Sequence, residues 1–206
     1  MLNIDLGGKN AVRVGKEEVD LKLQIHGLVS GYATINVLQL FEKDLIIFGE
    51  WNDRPVTTFG AQQLYQSFIT QGVRSLDPDN FMELIINTNN IDLSTLSKDM
   101  HAGDSLPPLH CDDAEEIGTL YLAGGRHRVE ALKMWANDTT TQIAALKSRI
   151  AYLEAHPEEV TDADEKNAEA LKELEILLPS IGIWGVRVFE WGKFFNRGHV
   201  LDWSMN

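Results

Sequence analysis

Thr119-Leu120-Tyr121-Leu122-Ala123-Gly124-Gly125-Arg126-His127-Arg128-Val129-Glu130-Ala131-Leu132-Lys133-Met134-Trp135 decides the fold, because it changes periodicity across a pair of glycines. Thr119 to Ala123 is apolar and β-prone, the composition of a buried strand. Gly124 and Gly125 interrupt it. Beyond them Val129, Leu132, Met134 and Trp135 line one face of a helix, with Glu130 and Lys133 on the other. The order is strand, glycine turn, helix, with Arg126, His127 and Arg128 in the first helical turn.

Such a turn suits an anion. The first N–H groups of a helix lack internal partners, and the macrodipole places partial positive charge beside them. Glycines allow close backbone approach to a phosphate. An arginine fork matches phosphate geometry, and a histidine adds a donor. Three cations at a helix N-terminus oppose the dipole, a local cost that a bound anion relieves. The alternative is a surface turn whose basic residues pair with the carboxylates of this acidic chain.

Gly125-x-His127-Arg128-x-x-Ala131, directly after a strand ending in Gly124, resembles the signature of the ParB/sulfiredoxin superfamily. That superfamily includes ParB-type chromosome-segregation CTPases, sulfiredoxins and a free-serine kinase. The resemblance implies that Gly124, Gly125, His127 and Arg128 hold nucleotide phosphates, with Arg126 beside them. Where sulfiredoxins carry a catalytic Cys this chain has Arg126, so sulfinic-acid reduction is not implied. ParB proteins usually have Glu-Arg-Arg after the glycine, where this chain has Arg126-His127-Arg128.

Length and composition set the frame. The chain has 206 residues, enough for one domain with a substantial core. No apolar run approaches the roughly 20 residues of a membrane span, and Met1 to Asp5 lacks the pattern of a signal peptide. The single cysteine, Cys111, excludes an internal disulfide and fits a reducing compartment, cytoplasmic or nuclear. A net charge of −13 argues against nonspecific nucleic-acid binding. The sequence shows no helix-turn-helix, so no DNA partner is expected. Asp138 to Glu175 carries ten acidic residues against four basic ones, so much of that charge is local, and the remainder of the chain is still acidic.

Asn10 to Val14 and Val19 to Ile25 alternate like strands, and Gly27, Ser30 and Gly31 mark a turn. Tyr32 to Phe41 suits either a strand or a short helix. Leu45 to Phe48 is a core strand. Glu50-Trp51-Asn52-Asp53-Arg54-Pro55 reads as a turn. The superfamily often brings such a turn to its site, so the resemblance makes Arg54 a second phosphate ligand. It also makes Glu50 and Asp53 candidates to orient a nucleophile or hold magnesium. The alternative is that these residues only pair with one another and the motif arginines. Thr58 is placed to cap a helix from Phe59 to Thr70 that ends at Gly72, with Leu64, Phe68 and Ile69 inward. Leu64 to Gly72 resembles the first helix of ParB domains, which implies Ser67 near the phosphates; the alternative is a small packing residue.

Ser75 to Gly103 holds Phe81 to Ile86, a strand or short helix, and one helical turn at Asp92 to Leu96. Relative to a minimal member of the superfamily it looks like an insertion. Leu106 to Cys111 and Gly118 to Ala123 are expected to pair as a hairpin around the acidic loop from Asp112 to Glu116. Thr139 to Ala155 reads as a helix with Ile143, Leu146, Ile150 and Leu153 on one face. His156-Pro157 ends it. Thr161-x-x-Asp164 resembles a capping box for a second helix with Ala168, Leu171, Leu174 and Leu178, stopped at Pro179. The two helices should fold back on each other. Ile181 to Phe189 is the last strand, followed by the aromatic residues Trp191, Phe194, Phe195 and Trp203.

The expected fold is α/β (α+β): one ParB/sulfiredoxin-like domain, a small mixed sheet with helices, spanning 1–206. A β-rich N-terminal extension occupies 1–46, and an inserted antiparallel helical hairpin, an acidic arm, occupies 138–178. The first functional reading is a nucleotide-binding domain. It would take ATP, CTP or another nucleoside triphosphate or diphosphate and act as a magnesium-dependent phosphohydrolase or small-molecule kinase. The alternatives are a nucleotide-gated protein-interaction module, with the arm as partner surface, and a degenerate domain without catalysis.

Overall fold

The computed structural model describes residues 27–49, 55–87, 91–110, 119–162 and 164–195. The strands proposed at Asn10–Val14 and Val19–Ile25, the turn carrying Glu50, Asp53 and Arg54, the acidic loop at 112–116, Cys111 and Trp203 lie outside these residues. The described chain is a mixed α/β structure built on a five-stranded mixed sheet. In chain order come β1 (Val29–Asn36), α1 (Val37–Glu42), β2 (Ile46–Phe48), α2 (Thr58–Gln71) and β3 (Met82–Ile86). Then follow β4 (Leu120–Leu122), α3 (Arg126–Ala155), α4 (Asn167–Leu177), β5 (Ile183–Glu190) and α5 (Trp191–Phe195).

The sheet order is β1-β5-β3-β4-β2. β5 pairs antiparallel with β1 and parallel with β3, while β4 pairs antiparallel with β3 and parallel with β2. Alternation along the strands sends Ala33, Ile35, Met82, Leu84, Leu120, Leu122, Trp184, Val186 and Val188 into the main core. Val129, Ala131 and Leu132 of α3, Phe68 of α2 and Val37 and Leu40 of α1 meet them there. A smaller cluster of Tyr32, Phe81 and Leu106 forms a separate core.

The ambiguous Tyr32–Phe41 stretch is both elements. The strand runs to Asn36, whose side chain accepts the Gln39 N–H at 3.1 Å and so caps α1. Ser30 and Gly31 belong to β1 rather than to a turn, with an irregularity in register between Val29 and Gly31. Thr57, not Thr58, caps α2, accepting the Gly60 N–H at 3.2 Å. Ile69 points outward, 49% exposed, while Ala61 and Phe68 are buried.

Three expectations are corrected more deeply. The segment after α2 is no peripheral insertion: β3 is the middle strand of the sheet, with Leu84, Ile85 and Ile86 fully buried. Among the described residues, 106–110 do not pair with 119–123 as a hairpin. Instead Leu109 N–H donates to Thr34 O and Thr34 N–H to Pro107 O, both at 2.8 Å, while β4 lies between β3 and β2. Finally, no break separates the motif helix from the arm, because α3 is one helix of 30 residues.

α4 folds back along the far half of α3, and Lys147–Glu175 joins them at 2.7 Å. Of the proposed stripe, Ala168 is exposed while Leu171, Leu174 and Leu178 are half-buried. Leu177 and Leu178 return to the main core. At the turn between the helices, Asp164 Oδ2 accepts from the Thr161 N–H (3.1 Å) and hydroxyl (2.6 Å), the reach-back half of a capping box. No described helix is long and apolar enough to cross a membrane.

Candidate functional site

The glycine turn is fixed by what precedes it. Leu120 and Leu122 are fully buried, and Ala123 N–H donates to Glu83 O at 3.0 Å, which holds the end of β4 against β3. Gly125 then turns the chain at φ 92°, a left-handed conformation that disfavours any side chain. A Cβ there would also stand 3.2 Å from Met82 Sδ. α3 starts at once, with Val129 N–H donating to Gly125 O at 3.0 Å and no side-chain cap. The earlier N–H groups of the first turn have no intrahelical partner.

The three basic residues diverge. Successive helical side chains point about 100° apart. Arg126 lies with its guanidinium carbon 5.0 Å from the Phe48 ring centroid at the end of β2. Its Nε is buried and has no hydrogen-bond partner among the described residues. His127 reaches the start of α2. Its Nε2 accepts the Thr57 N–H at 3.1 Å and lies 3.2 Å from Thr57 Oγ1. Since Nε2 accepts a backbone N–H it carries no proton, and the donor that sequence reasoning assigned to His127 falls to Nδ1. Arg128 turns elsewhere, with Nη1 donating to Asn80 O at 3.1 Å. Trp184 Nε1 donates to the same carbonyl at 2.7 Å.

His127 therefore brings two helix N-termini together. Gly60, in the first turn of α2, makes the approach possible: a Cβ there would meet His127 Cδ2 at 2.7 Å. Both positive dipole ends face this junction. No acidic residue lies in the first turn of either helix. Glu130 is turned to Lys133 at 2.8 Å. One described carboxylate stands beside the turn: Glu83 Oε2 would lie 3.9 Å from a Cβ at Gly124, while its Oε1 is held by Arg187 at 3.1 Å.

Ser67 is not at this junction. Ten residues separate it from Thr57, about 15 Å of helical rise. It shares a cleft with Arg128, so adjacent His127 and Arg128 address opposite ends of α2. The structure thus groups Gly124, Gly125, Arg126 and His127 with Thr57 and Gly60, and separately groups Arg128 with Ser67. Glu50, Asp53 and Arg54 are outside the described residues. Sequence reasoning missed Thr57 and Gly60. A glycine in the first turn of a helix was the available signal, because it marks close approach when nothing else requires it.

Among the described residues no group of three or more His, Cys, Asp or Glu side chains is placed to hold a metal ion. No protein-family model, curated protein or solved structure matches the chain.

Proposed function

We propose that this chain is a nucleotide-binding domain of ParB/sulfiredoxin type that seats a phosphate at the N-terminus of α3. The observation that carries the reading is the uncapped start of a 30-residue helix behind left-handed Gly125, set against a second helix N-terminus through His127. Arg126 supplies a guanidinium with an unsatisfied Nε beside the turn, and His127 Nδ1 supplies a neutral donor. Together these donors favour a polyphosphate over a monovalent anion. Hydrolysis or transfer to a small acceptor requires a magnesium ion and a carboxylate that orients the nucleophile. Glu50 and Asp53 are the residues proposed for those roles.

Calorimetry with pyrophosphate and a panel of nucleoside triphosphates and diphosphates, with and without magnesium, tests the site. Binding should weaken by about 1.5–3 kcal/mol in Arg126→Ala, the scale of one charge-assisted hydrogen bond. Absence of binding by every probe, or unchanged affinity in that variant, removes the site. Phosphate release that is lost in Glu50→Gln or Asp53→Asn distinguishes an enzyme from a nucleotide-gated module.

A further inference from the structure

At the C-terminal end of α2, a cleft of about 350 Å³ opens between that helix, the short 3-10 turn Pro78–Asn80 and the start of α3. Leu64, Phe68 and Trp184 give it apolar lining, the two rings tilted at 49° with centroids 6.1 Å apart. Its polar lining includes Ser67, Arg74 and Arg128.

Arg74 and Arg128 both line this cleft, and two basic residues at one opening favour a negatively charged occupant. In a chain of net charge −13, acidic partners are plentiful. Yet neither Arg74 nor Arg128 is ion-paired with a described carboxylate. α2 carries no charged residue at all. Among the acids next in sequence, Asp77 caps the 3-10 turn by accepting the Asp79 N–H at 3.1 Å. Arg128 uses one donor on the Asn80 carbonyl, which fixes its position and leaves the rest of its fork. The Arg74 side chain has no partner among the described residues, and the Ser67 hydroxyl reaches only Gln71 Oε1 at 3.4 Å.

We propose that this cleft binds a small organic oxyanion, a carboxylate or phosphate monoester on a flat apolar body. The oxyanion meets Arg74 and Arg128, and the body packs against Phe68 and Trp184. A volume of this size matches the lower range of small-molecule sites. The C-terminal carbonyls of α2 place partial negative charge at this end, which disfavours a bare anion. Affinity therefore requires the guanidinium fork and the apolar wall together. The site does not depend on the phosphate seat at the glycine turn, because His127 and Arg128 serve opposite ends of α2.

The test uses benzoate, phenyl phosphate, inorganic phosphate and benzyl alcohol, each titrated against the full chain by NMR. The Trp184 indole N–H signal and calorimetric affinity are the readouts. Benzoate or phenyl phosphate should move that signal, and the one that binds more tightly identifies carboxylate or phosphate as the preferred head group. Inorganic phosphate and benzyl alcohol should each bind about tenfold more weakly or worse, the loss expected when one contributing contact is missing. Arg74→Gln, a change at an exposed side chain, should weaken the aromatic oxyanion by about the same factor and leave pyrophosphate binding unchanged. The proposal is overturned if neither aromatic oxyanion moves the Trp184 signal, if inorganic phosphate binds as tightly as phenyl phosphate, or if Arg74→Gln binds like wild type. An Arg74→Gln variant that melts earlier but binds equally assigns Arg74 to the end of α2 alone.

Discussion

The two halves of α3 are one continuous helix in two different environments. In the first half Val129, Ala131 and Leu132 are completely buried against the sheet. In the second, Ile143 and Leu153 are the only buried hydrophobic positions, each still 8–9% exposed, and the facing helix α4 has none. Burial of a large aliphatic side chain contributes about 1.5–3 kcal/mol, whereas an exposed pair such as Lys147–Glu175 contributes about 0–1 kcal/mol. The near half is therefore held by the core and in turn holds the glycine turn in place. The far half persists because a well-anchored helix is already nucleated and α4 covers one stripe of it. The glycine turn stands at the rigid end of this lever, and a cluster of acidic residues stands at the other.

The comparison breaks most sharply with two deletions. Replacing 138–178 by a Gly/Ser linker removes Thr139 and Ile143 and also Leu177 and Leu178, which pack on the main core. It also removes Asp138, to which the Tyr65 hydroxyl donates at 3.1 Å. That variant should lose its cooperative urea transition. Removing only 149–173 should retain it, because Lys147 and Glu175 already face each other and a short linker can join the helices there. Equal stability of the two deletions would mean that the far half contributes nothing to the core. Loss of the transition in both would mean that the two halves form one unit.

A smaller effect separates the rigid end from the rest. Gly125→Ala should destabilise by about 1–2 kcal/mol, the left-handed penalty for a Cβ. Met82 must move as well, because the added Cβ approaches its sulfur at 3.2 Å. Chemical denaturation measures the change. A loss below a few tenths of a kcal/mol would show that the turn relaxes at little cost and that the proposed phosphate seat is not preorganised.

How much of this was legible in the sequence depends on whether the determining contacts are local. Strand, glycine turn and helix at 119–135 could be read because each step is local: apolar strand, two glycines, helical spacing. The length of α3 was misread for a specific reason. Asn137 to Thr141 interrupts the apolar stripe with residues that favour turns. In the structure the hydroxyls of Thr140 and Thr141 donate to the carbonyls of Ala136 and Asn137 at 2.8 and 2.9 Å, and the helix continues. No Gly or Pro lies between Arg126 and Ala155, and that absence was the better signal. The hairpin at 106–123 failed because its partners are distant in sequence: Thr34 takes one segment, and β3 and β2 take the other. The scatter of Arg126, His127 and Arg128 follows from helical geometry alone. Their partners Phe48, Thr57 and Asn80 belong to three separate segments that no local pattern connects.

The smallest expected effect is confined to the tip of the arm and depends on pH. Arg149 Nε and Nη2 both donate to the Asp164 carboxylate at 2.9 Å, and the Thr161 hydroxyl and N–H donate to Oδ2. These donors, the Arg149 fork first, hold the Asp164 carboxyl far below the usual carboxylate range, and the same pairing raises Arg149. A depressed carboxyl stabilises the folded arm at every pH above its ordinary value. That contribution declines as pH falls below the ordinary value and is gone once pH drops through the depressed one. The protection of α4 against hydrogen exchange, corrected for the intrinsic pH dependence of amide exchange, should therefore be high and flat from neutral pH to the ordinary carboxyl range, and should fall in stronger acid. Asp164→Asn should exchange faster than wild type at neutral pH, and the two should converge in strong acid while the near half of α3 stays protected in both. Convergence is the informative result, because loss of packing would leave the variant faster at every pH. A constant difference across the titration would assign the tip to packing, and acceleration reaching Val129 to Leu132 would show that the halves of α3 are coupled.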